Sequence, residues 1–224
     1  MDNWLYPRIQ RFFRSRRMRA FVRHFQPTAA TRILDVGGTP FNWSLIPNVE
    51  NTALPVTFLN VHKPGPRERG APWVVADARF LPFREGSFDI LYSNSVLEHL
   101  GNRAQQQAFA AESRRVGRSY YVQTPYRWFP IEPHLLTPLI HWLPRAWQRP
   151  LLRYGTLWGW INRPSPERCD ELWHEICLLD MRALQRLYPG VAIWRERIGG
   201  ITKSIIAVHD ANAHRPIKHE DAVS

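Results

Sequence analysis

The chain has 224 residues, a formal charge of +11 and 44% hydrophobic residues, enough for one domain with a sizeable core. No apolar run approaches the roughly 20 residues of a membrane span, and the Arg-rich start lacks the apolar segment of a secretory signal. Cys169 and Cys177, without C-x-x-C spacing or a second ligand pair, argue against a zinc site or disulfide scaffold, so no metal and a reducing, cytoplasmic setting are expected.

Residues 8–25 are predicted as an amphipathic helix. Ile9, Phe12, Phe13, Phe21, Val22 and Phe25 fall on one side, and arginines cover much of the rest as a solvated basic face. Strand one is expected at 31–36, ending in Asp35 and followed by Gly37-Gly38. A short helix follows at about 41–48. Strand two is expected at 56–61 and ends near Asn60. A Pro/Gly-rich loop at 62–70 precedes strand three at 73–76. Strand four is expected at 88–93 and a helix at 103–116. Strand five is expected at 119–123.

Composition then changes. Residues 126–175 hold six of the ten tryptophans and many prolines. The stretch is too broken for one long helix and is expected to form short helices capping the strand ends. A helix at 178–190, with Asp180 as N-cap, leads into an antiparallel hairpin of 192–198 and 202–208. The tail from Asp210 is polar.

Strand-like runs breaking into polar residues after L-D-V-G-G (34–38), at A-D-A-R-F-L-P-F (76–83) and in F-D-I-L-Y-S-N-S-V-L-E-H-L (88–100) suggest parallel strands whose carboxyl ends share one crevice. These three motifs, in this order and at these intervals, resemble the class I S-adenosylmethionine (SAM)-dependent methyltransferases, in particular the type 11 group. The dinucleotide alternative wants G-x-G-x-x-G, and no glycine follows Gly38 before Trp43.

The resemblance implies an α/β, Rossmann-like, doubly wound, mostly parallel seven-stranded sheet with a C-terminal antiparallel hairpin and a helical cap insertion. The whole chain is read as one methyltransferase domain. Its segments are a basic amphipathic helix (1–30), a cofactor-binding core (31–125), a cap (126–177), a last helix and hairpin (178–209) and a tail (210–224). SAM is the implied cofactor. Asp35 is expected to orient its methionine amino group, and Gly37 and Gly38 to let the backbone run beside it. Asn60 stands where the family has an acid gripping the ribose hydroxyls, so Asn60→Asp is expected to preserve or tighten binding. Asp77 and the Ala78 amide are expected at the adenine, with Phe80 and Leu81 near the ring. Asn94 and Ser95 are expected below the methyl donor.

Methyl transfer from a sulfonium needs in-line positioning, exclusion of water and, for a hydroxyl acceptor, a base. The candidate bases are His134 paired with Glu132, and His99. Asp89 is read as structural. The acceptor is expected to be a small molecule or a lipid- or nucleotide-linked one, such as a sugar or secondary metabolite. The rival readings are a catalytically inactive methyltransferase-like binding protein and an RNA methyltransferase. Nucleic acid is disfavoured because S-N-S-V replaces an N-P-P-Y-type motif after strand four. Trp142, Trp147, Trp158 and Trp160, interleaved with Arg145, Arg149, Arg153 and Arg163, also suit peripheral contact with an anionic membrane at its inner face.

Overall fold

The computed structural model describes residues 5–46, 54–132, 137–138, 140–143, 147, 151–152, 154–156, 159–160, 163–165 and 176–213. The central sheet contains β1 (Ile33–Val36), β2 (Val56–Asn60), β3 (Trp73–Val75), β4 (Phe88–Asn94) and β5 (Gly117–Pro125), all mutually parallel, with β8 (Ala192–Ile198) and β9 (Ile201–His209) antiparallel at one side. The order is β3-β2-β1-β4-β5-β9-β8. Strands two and three lie on one side of β1, and strands four and five on the other. The chain therefore reverses direction between β1 and β4, which opens a crevice at their carboxyl ends. The short pair β6 (Ile131–Glu132) and β7 (Thr137–Pro138) is separate from this sheet.

All four residues of β1 are buried, as a central parallel strand covered on both faces requires. On one face, Leu34, Val36, Leu91 and Val122 pack with Phe109 and Val116 of α3 (Arg103–Val116) and with Leu184 of α4 (Met181–Leu187). Both helices start as their sequences indicate. Asn102 accepts from the Gln105 N–H at 3.0 Å, and Asp180 accepts from the Ala183 N–H at 2.7 Å. On the other face, α1 (Leu5–Phe25) places Phe21 edge-on to Trp43, Tyr92 and Tyr121, with centroids at 5.8, 5.1 and 5.6 Å. Tyr92 and Tyr121 stack at 5.4 Å. Trp43 closes α2 (Pro40–Trp43), which is shorter than the expected 41–48 segment.

The helical stripe of α1 differs from the expected one in two positions. Phe12 is exposed, whereas Arg17, assigned to the solvated face, is buried. Positions 13, 17 and 21 lie four apart, so Arg17 shares the inward face with Phe13 and Phe21. The strands also run somewhat differently from their expected limits. Strand five extends to Pro125, because β9 pairs with it from Tyr120 as far as that residue. Among the described residues, no helix is long and apolar enough to cross a membrane.

Candidate active site at the strand carboxyl ends

Asp35 is fully buried beside the switch point. Its Oδ2 accepts from the Trp43 indole N–H at 2.8 Å, while Oδ1 has no hydrogen-bond partner among the described residues. Burial pushes its carboxyl up to about 7, against the lowering effect of the Trp43 bond. A buried, half-satisfied carboxyl needs a donor, and an ammonium group is the donor that would also hold it ionised.

The two glycines have separate reasons. Gly37 has φ +78°, and a Cβ there would lie 2.2 Å from Val96 Cγ2. A Cβ at Gly38 would lie 1.8 Å from Asp35 Oδ2. Gly37 thus allows the turn, and Gly38 leaves room for the carboxylate. A Gly37→Val substitution would therefore strike Val96 and test the loop itself as well as any ligand approach.

Asn60, at the end of β2, points its amide back to this loop, where Nδ2 donates to the Gly38 carbonyl at 2.8 Å. This corrects the expectation for Asn60→Asp. A carboxylate would lose the donor and face a carbonyl oxygen.

Asp77 forms an ion pair and bidentate hydrogen bonds with Arg79, and its Oδ1 accepts the Arg79 backbone N–H at 2.9 Å. The Arg79 hydrogen bonds hold its carboxyl below the usual range. Its lone pairs are therefore shared with a guanidinium. The Ala78 side chain is buried in the α3-side core. Leu81 is buried too, and its N–H donates to Glu112 at 2.7 Å, so of the two expected ring neighbours only Phe80 is open, at 73% exposure.

Asn94 ends β4 and Ser95 follows it. Asn94 Oδ1 is buried without a hydrogen-bond partner among the described residues. Ser95 has φ +60°, rare for a residue with a side chain. It is held there by two bonds to Gln123 of β5. Its N–H donates to the Gln123 carbonyl at 3.1 Å, and its hydroxyl to Gln123 Oε1 at 3.1 Å. A non-glycine residue held at positive φ marks an over-determined position of the kind found at active sites.

Of the candidate bases, His99 is in a short 3-10 turn (Leu97–His99), with its side chain 43% exposed and Nε2 at 4.0 Å from Glu98 Oε1. Glu98 itself is fully buried and accepts from the Thr124 hydroxyl at 3.0 Å. The Glu132 backbone lies in β6, but its side chain, His134, Arg145, Arg149, Arg153 and Trp158 lie outside the described residues. Asp89 accepts from the Arg32 N–H at 2.9 Å at the opposite end of β4, as its structural reading requires. Among the described residues, no three His, Cys, Asp or Glu side chains group as a metal site.

Sequence reasoning missed Trp43, the donor to Asp35. It also missed a charged group made of the buried Arg17 and Glu196 with the partly buried Lys203. Its sequence signals were faint: an arginine on the apolar stripe of α1, and an acid at the inward phase of A-I-W-R-E-R-I.

Residues 49–119 match the family described as methyltransferase domain, a segment that begins beyond the glycine loop and α2. No curated protein matches the chain. The fold is similar to that of the PH0226 protein from Pyrococcus horikoshii OT3, with 13% identity, TM-score 0.54, and 93% of this chain and 92% of that one covered. It is also similar to a putative O-methyltransferase from Nostoc punctiforme PCC 73102, with 11% identity, TM-score 0.51, and coverage of 87% and 55%. A chain of the complex between the Haloferax volcanii Trm112 methyltransferase activator and the putative methyltransferase gives 10% identity, TM-score 0.52, and coverage of 93% and 94%. The strand order with its terminal antiparallel pair gives this chain the Rossmann-like, seven-stranded fold of its structural neighbours, and its segment 49–119 is similar to a methyltransferase domain.

Proposed function

We propose that the protein transfers a methyl group from SAM to a small-molecule or lipid- or nucleotide-linked acceptor. The observation that carries this reading is the buried Asp35 carboxyl at the switch point, with one oxygen unpartnered and glycines in the loop beside it. SAM supplies an electrophilic methyl on a sulfonium. Asp35 binds the amino group of its methionine portion, and Phe80 covers one edge of the adenine. The Asn60 oxygen accepts from a ribose hydroxyl while its nitrogen braces Gly38. Asn94 and Ser95, fixed through Gln123, form the wall on the acceptor side. Glu132 and His134, or His99, take the proton when the acceptor is a hydroxyl. Exclusion of water from the reacting methyl is the role proposed for the 126–177 insertion.

Calorimetric titration with S-adenosylhomocysteine (SAH), the demethylated product, tests the cofactor assignment. Consumption of SAM in acceptor panels tests turnover. A second reading, a binding protein without turnover, is favoured by the engagement of Asp77 with Arg79. It predicts SAH binding without methyl transfer to any acceptor. The exposed Trp128, Trp142, Trp147 and Trp160 support a proposed interfacial role of the cap at an anionic membrane.

A further inference from the structure

The residues on the α1 face of the sheet, at the carboxyl ends of β4 and β5, carry a charge arrangement that cofactor binding does not use. Asp35, Tyr92 and Tyr121 stand side by side across β1, β4 and β5, and Asn94 faces Gln123 two pairs further on, on the same face. Beyond them, Pro125 pairs with Ser204, and Ser204 with Glu196. A bulge in the hairpin between Glu196 and Arg197 leaves Lys203 outside the pairing, between Ser204 and Thr202. Its carbonyl accepts the N–H of Tyr126, the first residue after β5. Its ammonium turns toward α1, 3.6 Å from the centre of the Phe13 ring and 3.7 Å from Glu196.

Glu196 also lies 3.7 Å from Arg17 Nε. One buried carboxylate thus faces two cations. The Arg17 side chain is 8% exposed and that of Lys203 21%, so one cation is sealed and the other lies at the rim. Burial depresses Lys203 to about 8, so it still carries its proton at neutral pH. Two donors, Arg17 Nε and the Tyr121 hydroxyl, lack hydrogen-bond partners among the described residues, as do two acceptors, Asn94 Oδ1 and the Glu196 Oε1 that faces Arg17 at 3.7 Å. Arg14, one turn earlier on α1, reaches Asn42 Oδ1 at 3.4 Å and so links this region to the segment after the glycine loop. One carboxylate serves two cations here, one sealed and one at the rim, and unpartnered donors beside them suit an oxyanion.

We propose that Arg17, Lys203 and the Tyr121 hydroxyl form an anion subsite for the acceptor, which therefore carries a carboxylate or phosphate beside the position to be methylated. This rests on the methyltransferase reading. The subsite would fix the acceptor against the wall formed by Asn94 and Ser95. Glu196 would keep the two cations parted and aligned.

The test uses the full-length protein with and without saturating SAH. Inorganic phosphate and benzoate are titrated separately at constant ionic strength, with chloride as the balancing salt, and binding is read by calorimetry. At least one anion is expected to bind saturably. Lys203→Met is expected to weaken that anion by about tenfold or more, with SAH affinity unchanged and Lys203→Arg retaining binding. Arg17→Met should act in the same direction, and the rim position of Lys203 keeps the test available if Arg17→Met does not fold. The phosphate and benzoate arms separate the two acceptor chemistries. The proposal is overturned if neither anion binds beyond chloride, or if Lys203→Met binds as tightly as the parent. Absence of SAH binding by the parent would instead refute the cofactor assignment, and the anion titrations without SAH would still decide the subsite.

Discussion

Replacing Trp43 with Phe tests whether Asp35 is the cofactor's anchor, because the two residues share one hydrogen bond. The indole N–H is the only donor to Asp35 among the described residues, and it stabilises the ionised carboxylate in a fully buried position. In the parent, Asp35 titrates at about 7. An ammonium ligand selects the ionised form, so binding at lower pH must first expel a proton. SAH affinity is therefore expected to fall about tenfold between pH 8 and pH 6. Loss of a charge-assisted bond of about 2 kcal/mol would raise the Asp35 pKa by about 1.5 units. At pH 7 the variant should then bind SAH about 15-fold more weakly, and the gap should nearly close by pH 9. Phe keeps most of the apolar contact with Phe21 and Tyr92. Calorimetry from pH 5.5 to 9, in buffers of different ionisation heat, reads both the affinity and the proton released. A flat pH profile in the parent, or an unshifted midpoint in Trp43→Phe, would refute the assignment of Asp35. The same shift has a stability consequence with a definite sign. The folded protein holds this proton above the unfolded carboxyl's range, so the contribution favours folding at pH 4 and is lost as pH rises through about 7. Asp35→Asn should remove that slope from thermal unfolding.

Gly38→Ala forces a Cβ into the space of the Asp35 carboxylate, and SAH affinity should drop by at least about tenfold, with a lower unfolding temperature. Asn60→Asp should weaken SAH binding by about 1–3 kcal/mol, since the bond to the Gly38 carbonyl is replaced by repulsion; equal or tighter binding would show that the amide turns toward the ribose when ligand is present. Phe80→Ala removes an exposed ring, so unfolding temperature should stay put while SAH binding loses about 1 kcal/mol. For the cap, the double substitution Arg149→Gln and Arg153→Gln should reduce sedimentation with anionic vesicles, most at low salt, without changing SAH affinity; a parent that ignores such vesicles removes the interfacial role.

The motifs from Thr31 to Leu100 located the strands along the chain, the glycine turn and the placement of Asp35, Asn60, Asp77 and Asn94 near strand ends, because strand periodicity and turn residues are local properties; the sheet's arrangement was implied by the resemblance. The caps at Asn102 and Asp180 and the terminal hairpin were legible for the same reason. What the local pattern left open was the partner of each polar side chain. Asn60 reads as a strand-end amide, and only the fold shows its nitrogen donating to the Gly38 carbonyl at 2.8 Å. Arg17 reads as one more solvated arginine until α1 lies across the sheet and sets it 3.7 Å from Glu196, 179 residues away along the chain. Lys203 reads as an ordinary polar residue of the hairpin, and its position out of register reflects a bulge that no spacing in T-K-S-I-I-A-V announces. Hydrophobic periodicity fixes which face of an element turns inward, but the charge that must be neutralised there depends on what another element brings to it, and only the tertiary structure decides that.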